Sequence, residues 1–77
     1  MSSPDGLIEF TLQDSSHVRI EVLDVGGHMV ATLADGVVAA GMHHYRWDGR
    51  GFPSGIYFYN VRGPGFLKSG KIEVPAL

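Results

Sequence analysis

Apolar and polar side chains alternate in short runs along most of this chain, and residues typical of turns separate the runs. Residues 7–13 place an apolar side chain at every second position, and residues 17–22 do the same. A period of two is that of a β-strand with one buried face. No stretch of ten or more residues keeps the 3.6-residue period of a helix, and glycines interrupt every candidate window. The sequence therefore predicts an all-β protein.

Turn residues divide the chain into about six or seven short strands, spaced by roughly 8–12 residues. The clearest turns are Asp14–Ser16, Asp24–His28, Asp35-Gly36, Asp48–Gly51 and Gly63–Gly65. This spacing favours an antiparallel β-sandwich. We assign residues 1–6 to a linker or frayed end and residues 7–77 to a single domain.

The first two runs are expected to form a hairpin, because a short polar turn joins them. Its register would bring six apolar side chains to one face, through the pairs Leu12 with Val18, Phe10 with Ile20 and Ile8 with Val22. The next strand is predicted over residues 29–34, with Val30 facing inward and the turn Asp35-Gly36 after it. Leu33 is also expected to face inward, which requires a β-bulge or the end of the strand.

Three aromatic residues, Trp47, Tyr57 and Tyr59, contain much of the bulk available for one small core. Each large aromatic side chain can bury roughly 150–250 Å². Alternation puts Tyr57 and Tyr59 on one face of their strand and Phe58 on the other. One of these two faces is therefore an outer face unless the strand is covered on both sides. An exposed aromatic strip indicates an interaction surface, although contact with the core or a neighbouring domain is the simpler interpretation.

Composition excludes several classes of function. The chain has 77 residues, no cysteine and a net charge of −2. Disulfides and thiolate zinc sites are therefore impossible, and neither nucleic acid nor an anionic membrane has an electrostatic attraction to it. The apolar runs are too short to cross a bilayer, so we expect no membrane insertion. The first residues lack the basic and apolar regions of a signal peptide. If the domain is exported, the signal is expected in a larger parent protein, or the domain is itself the signal.

The potentially reactive residues form no catalytic or metal-binding pattern. His43 and His44 are adjacent on a predicted strand, so their side chains point to opposite faces. The aspartates are scattered and match no calcium loop, and turn formation explains them better. The serines lack the context of an activated nucleophile. We therefore predict that the domain is not an enzyme and has no metal ion or cofactor.

Several motifs in fixed order resemble a known family. They are Val22–Leu33, Ala40–His43, Trp47-Asp48-Gly49, Pro53–Tyr59 and Lys68–Lys71. With the alternating strand that begins at residue 7 and the final strand that ends at residue 74, they are similar to the bacterial immunoglobulin-like domains of the flagellar hook-capping type. The same pattern is shared by the type A C-terminal sorting domains of the type IX secretion system.

The resemblance implies an immunoglobulin-like antiparallel β-sandwich and assigns structural roles to the motif residues. Trp47 and Tyr57 would fill the core between the sheets, Asp48 and Gly49 would form a turn, and Asp24 would bind the backbone of its own turn. The full set of structural motif residues is Asp24, Gly27, Trp47, Asp48, Gly49, Pro53, Gly55, Tyr57 and Tyr59.

The same resemblance implies a non-catalytic C-terminal accessory domain of a larger exported bacterial protein, secreted or at the cell surface, that acts in sorting or anchoring. Its partners would be proteins of the secretion or assembly machinery and a parent catalytic or scaffold domain. Two alternatives are a structural assembly module, as in hook capping, and a carbohydrate-binding appendage of a secreted glycoside hydrolase. The candidate binding residues are Phe58, Phe66, Lys68 and Lys71, because exposed aromatics and an edge strand such as residues 66–74 offer docking surfaces.

Overall fold

The computed structural model describes residues 6–47 and 49–75 of the chain. These residues form six β-strands: β1 (Leu7–Leu12), β2 (Ser16–Leu23), β3 (Met29–Val38), β4 (Gly41–Arg46), β5 (Gly55–Gly63) and β6 (Phe66–Val74). Within these two ranges there is no helix, and hence none suited to crossing a membrane. The all-β prediction is confirmed.

The strands form two antiparallel sheets that pack as a sandwich. The larger sheet has the strand order β3-β2-β5-β6, and the smaller one consists of β1 and β4. This arrangement is consistent with an immunoglobulin-like β-sandwich and confirms the predicted fold class.

The core lies between the two sheets and contains the side chains that the alternation selected. The buried residues are Ile8, Phe10, Leu12, Val18, Ile20, Val22, Trp47, Tyr57, Val61 and Ile72. Because side chains alternate strictly between the faces of a strand, the pattern identified the inward face of β1 and β2 correctly, and it separated Tyr57 from Phe58 on β5.

The predicted hairpin between the first two runs is wrong. β1 pairs with β4, through partners such as Phe10 with His43, and the chain crosses to the other sheet after Leu12. The six apolar side chains of β1 and β2 are all buried, but they face each other across the sandwich instead of sharing one sheet face. Alternation determines which face of a strand is buried; it does not determine which strand lies beside it.

The predicted break at Asp35-Gly36 is also wrong, because β3 continues through it to Val38. Asp35 lies opposite Arg19 and Gly36 opposite Val18 on β2. The Asp35 carboxylate also lies 2.8 Å from Nε2 of His17. These cross-strand contacts hold a dipeptide with turn propensity in an extended conformation.

Two register shifts between β2 and β3 explain how Val30 and Leu33 can both point inward, although three positions separate them on β3. One shift leaves Leu33 and the other leaves Val30 without an opposite residue, and both side chains pack against the core. A bulge inserts one residue and re-aims the side chains beside it. Of the two possibilities expected for Leu33, a β-bulge or the end of the strand, the structure has the bulge.

Two aromatic rings cover glycines on the neighbouring strand. Tyr59 is opposite Gly70, where an added Cβ would lie 2.4 Å from the ring, and Phe66 is opposite Gly63, where it would lie 2.2 Å away. Any larger residue at either position would have to displace the ring. Because glycine has no side chain, the Tyr59 and Phe66 rings can lie over the neighbouring strand and pack against the core.

Candidate interaction surface

The aromatic motif residues form a corner at one end of the core. The Trp47 ring lies 5.1 Å from that of Phe52 and 5.1 Å from that of Tyr57, measured between centroids. The Tyr57 hydroxyl donates a 2.6 Å hydrogen bond to the carbonyl oxygen of Pro53. A tyrosine that bonds back to the backbone just upstream also occurs in immunoglobulin folds. These residues therefore hold the corner together.

Glycine is required where this corner turns. Gly49 has φ 71°, and a Cβ there would lie 2.6 Å from Cγ2 of Val74. Gly55 has φ 142° at the start of β5. The turn role expected for Asp48 falls on a residue outside the described ranges.

Asp24 organises the turn between β2 and β3, as the motif implied. Its Oδ1 accepts hydrogen bonds of 2.9 Å from the backbone N–H groups of Gly26 and His28, and Gly27 completes the turn with φ 85°. The His28 N–H bond is the main reason why the pKa of Asp24 lies below its ordinary value of 3.8; the Gly26 bond and the His28 ring act in the same direction, against partial desolvation.

The lowered pKa of Asp24 makes the domain's stability depend on pH in acid. A carboxyl group whose pKa falls on folding stabilises the native state above its unfolded pKa, and this contribution is lost as the pH drops through the folded value. Near neutral pH, we expect the free energy of unfolding of the native protein to be higher than that of the Asp24→Asn variant. This difference should shrink as the pH falls below 3.8. Urea unfolding of both proteins across the acid range measures this; a difference independent of pH would contradict it.

The outer face of the larger sheet carries an apolar strip, defined as Leu23, Met29, Ile56 and Phe58. Leu23 lies opposite Met29 on one side and Phe58 on the other, and Ile56 follows on β5 with its side chain on the same face. Met29, Ile56 and Phe58 are each between 42% and 51% exposed. The strip is thus a continuous hydrophobic surface across three strands.

Charged side chains border the apolar strip. Lys71 on β6 is opposite Phe58, and its ammonium lies 3.6 Å from the Glu73 carboxylate. Toward the other end of the same face, Glu21 lies between Arg19, at 3.4 Å, and Arg62, at 3.7 Å. An apolar centre with a charged rim is the usual composition of a protein-binding surface.

The structure brings two of the four candidate binding residues together and separates the other two from them. Phe58 and Lys71 are neighbours on the outer face. Phe66 is on the inward side of β6 and packs against the core. Lys68 is opposite the buried Val61, so it also lies on the inward side, and its ammonium donates to the carbonyl oxygen of Glu9 on β1.

Lys68 therefore spans the gap between the edges of β6 and β1. An inward-pointing lysine on an edge strand prevents another chain from pairing there. We expect Lys68→Thr to increase self-association, whereas Lys71→Thr, which removes the same charge from the outer face of the same strand, should not. Light scattering of both variants during storage measures this; equal behaviour would contradict the role of Lys68.

The described residues contain no group of three potential metal ligands. Nε2 of His43 lies 2.7 Å from the Ala39 carbonyl oxygen, and Nε2 of His44 lies 3.8 Å from the Glu9 carboxylate. The two rings thus point to opposite faces, as predicted. His43 is half-buried beside Phe10 on the inward face of β4, whereas His44 is exposed on the outer face.

Two shallow clefts flank the aromatic corner. One, of about 470 Å³, lies beside the apolar strip and is lined by Val25, Pro53 and Ile56 among others. The other, of about 340 Å³, includes Phe52 and Val74. The first cleft extends the apolar strip.

Comparison with protein-family models, with curated proteins and with solved structures finds no match to this chain. Its function must therefore be inferred from the chemistry of its own surface and motifs.

Proposed function

We propose that this domain is a non-catalytic protein-binding module, an accessory domain of a larger exported bacterial protein that acts in sorting or anchoring. The apolar strip is the observation that carries the binding role. The ordered motifs that resemble type A sorting domains support the choice of sorting over other binding functions.

The strip has the properties of a docking surface. Three of its large side chains remain about half exposed in a domain whose core buries similar residues completely. Apolar side chains clustered on one face in this way commonly mark a site of protein association. The neighbouring Lys71 and Glu73 would supply polar contacts at the rim, and the partner would be a protein of the secretion machinery or the parent domain.

The test is export of a reporter fused to the domain in a bacterium with a type IX secretion system. Deleting β6 would not be informative, because Ile72 belongs to the core and its loss would unfold the domain. The informative variant is Ile56→Ser with Phe58→Ser, which alters only exposed side chains. The matched control is Val37→Ser, which changes a side chain 76% exposed on β3, outside the strip.

Export should fall at least tenfold in the strip variant and stay unchanged in the control, with circular dichroism showing both to be folded. No export of the native fusion would contradict the sorting role. Equal export of the native and strip fusions would contradict the role of the apolar strip.

Two other functions use the same surface. As an assembly module of the hook-capping kind, the domain would space or stabilise a scaffold through the strip, and a flagellar gene neighbourhood would favour this function. As a polysaccharide-binding appendage, it would stack a sugar on Phe58, and loss of glycan binding in Phe58→Ala would favour that one.

A further inference from the structure

The sheet edges of this sandwich differ in how they are protected. β3 carries the two bulges at Val30 and Leu33, and Lys68 lies in the gap between β6 and β1, bonded to the carbonyl oxygen of Glu9. Bulges and inward-pointing lysines are devices that prevent edge strands from pairing with other chains. Among the strands that the structure describes, these devices protect the edges of β3, β6 and β1 and leave the edge of β4 unprotected.

The edge of β4 is regular and offers unpaired backbone groups. Its pairing with β1 has no register shift, and the 3.1 Å bond from Trp47 N–H to the Gly6 carbonyl oxygen extends the same ladder. Since hydrogen-bonded pairs alternate in an antiparallel ladder, the backbone groups of Met42, His44 and Arg46 face away from β1. Within the described ranges these groups have no backbone partner.

The larger sheet extends beyond β4 on this side. The Lys68 contact places β1 beside β6, so β4 lies on the side toward β3, to which a link of two residues joins it. Leu33 and Val38 of β3 are only half-buried, whereas Ile20 on β2 is completely buried. A strand added beyond β4 would cover this exposed part of the core.

We propose that the edge of β4 binds an extended peptide segment of a partner protein as the third strand of the smaller sheet. Strand addition of this kind takes its affinity from main-chain hydrogen bonds and its specificity from alternate side chains. The bound segment has apolar residues at every second position, directed at Leu33 and Val38. Its intervening residues are polar and include an acidic one beside Arg46, which is exposed.

The extension of β3 beyond β4 also argues against a second copy of this domain as the occupant. Strands in one sheet lie about 4.8 Å apart. If the β4 strands of two copies paired, the β3 strand of each copy would extend under the smaller sheet of the other copy, into space that the other copy's β3 already occupies. A segment that belongs to no sheet of its own avoids this clash. This surface is separate from the apolar strip, so the inference does not depend on the proposed sorting function.

The experiment is a nuclear magnetic resonance titration of the ¹⁵N-labelled domain with an eight-residue peptide, blocked at both ends, that alternates valine with threonine and has one glutamate at a threonine position. A peptide of the same composition without the alternation is the control. We expect shifts centred on the amides of Met42, His44 and Arg46, and at least tenfold weaker binding of the control.

Two proline variants test the direction of the backbone groups. His44→Pro removes an N–H that faces outward, so the domain should stay folded, as prolines at open edges are tolerated, and bind the peptide at least tenfold more weakly. His43→Pro removes an N–H bonded to β1 and should unfold the domain. Peptide affinity unchanged by His44→Pro would overturn the proposal.

Other results would also overturn it. One is the absence of shifts at these three amides up to millimolar peptide. Another is a dimer of the free domain that His44→Pro abolishes, because it would identify a second copy as the occupant of the β4 edge.

Discussion

Replacement of Trp47 by alanine should unfold this domain at room temperature or bring it close to unfolding. The indole is 8% exposed and packs against Phe52 and Tyr57 at the end of the core. Removing a buried tryptophan costs about 3–5 kcal/mol. A domain of this size has a total stability of roughly 4–12 kcal/mol. The loss is therefore comparable with the lower part of that range.

Circular dichroism during urea unfolding is the appropriate measurement, since the variant lacks the only tryptophan. Phe52→Ala is the matched control, because Phe52 contacts the same indole but is 36% exposed. It should cost about 1–2 kcal/mol, since about a third of the Phe52 surface is already in water. A Trp47→Ala domain as stable as the Phe52→Ala domain would show that the indole is not essential to the core.

Gly6→Ala is expected to be the most damaging substitution among the glycines. Gly6 has φ 64°, and an added Cβ would lie 1.9 Å from the carbonyl oxygen of Trp47, a backbone atom that no rotamer change can move. The left-handed conformation alone costs an alanine about 1–2 kcal/mol. Relief of the clash would also break the bond between Trp47 N–H and the Gly6 carbonyl oxygen. We expect a loss of about 3 kcal/mol in the free energy of unfolding.

Gly36→Ala is the control for this prediction. Gly36 lies on the edge strand β3, and a Cβ there would meet no atom within 4 Å. Its alanine variant should be as stable as the native protein, or slightly more so, because alanine restricts the unfolded chain. Chemical denaturation of both variants provides the comparison. Equal stabilities would mean that the Gly6 turn can rearrange without cost.

The sequence was least informative about Gly6 itself. We assigned residues 1–6 to a linker because they are polar or small, yet Gly6 is buried and bonded to Trp47. Glycine has no side chain from which burial could be read. The signal that was available is its position directly before an alternating strand, where a special backbone conformation is common.

The sequence predicted which face of a strand some candidate binding residues lie on, but not which residues of other strands they contact. Alternation placed Phe58 on the face opposite Tyr57 and Tyr59, and this is what the structure has. It could not show that Leu23, on another strand, lies between Phe58 and Met29. Nor could it show that Lys68 reaches Glu9 on the other sheet.

The sequence by itself determined the strand content, the inward face of each of the well-patterned strands, and the turn at Asp24. These are local properties, since they depend on a residue's own backbone preference and on its nearest neighbours in the chain. Only the tertiary structure decided that β1 pairs with β4, that β3 runs through Asp35-Gly36, and which edge remains open. Those outcomes depend on contacts between residues far apart in the chain, and several pairings satisfy the same alternation equally well.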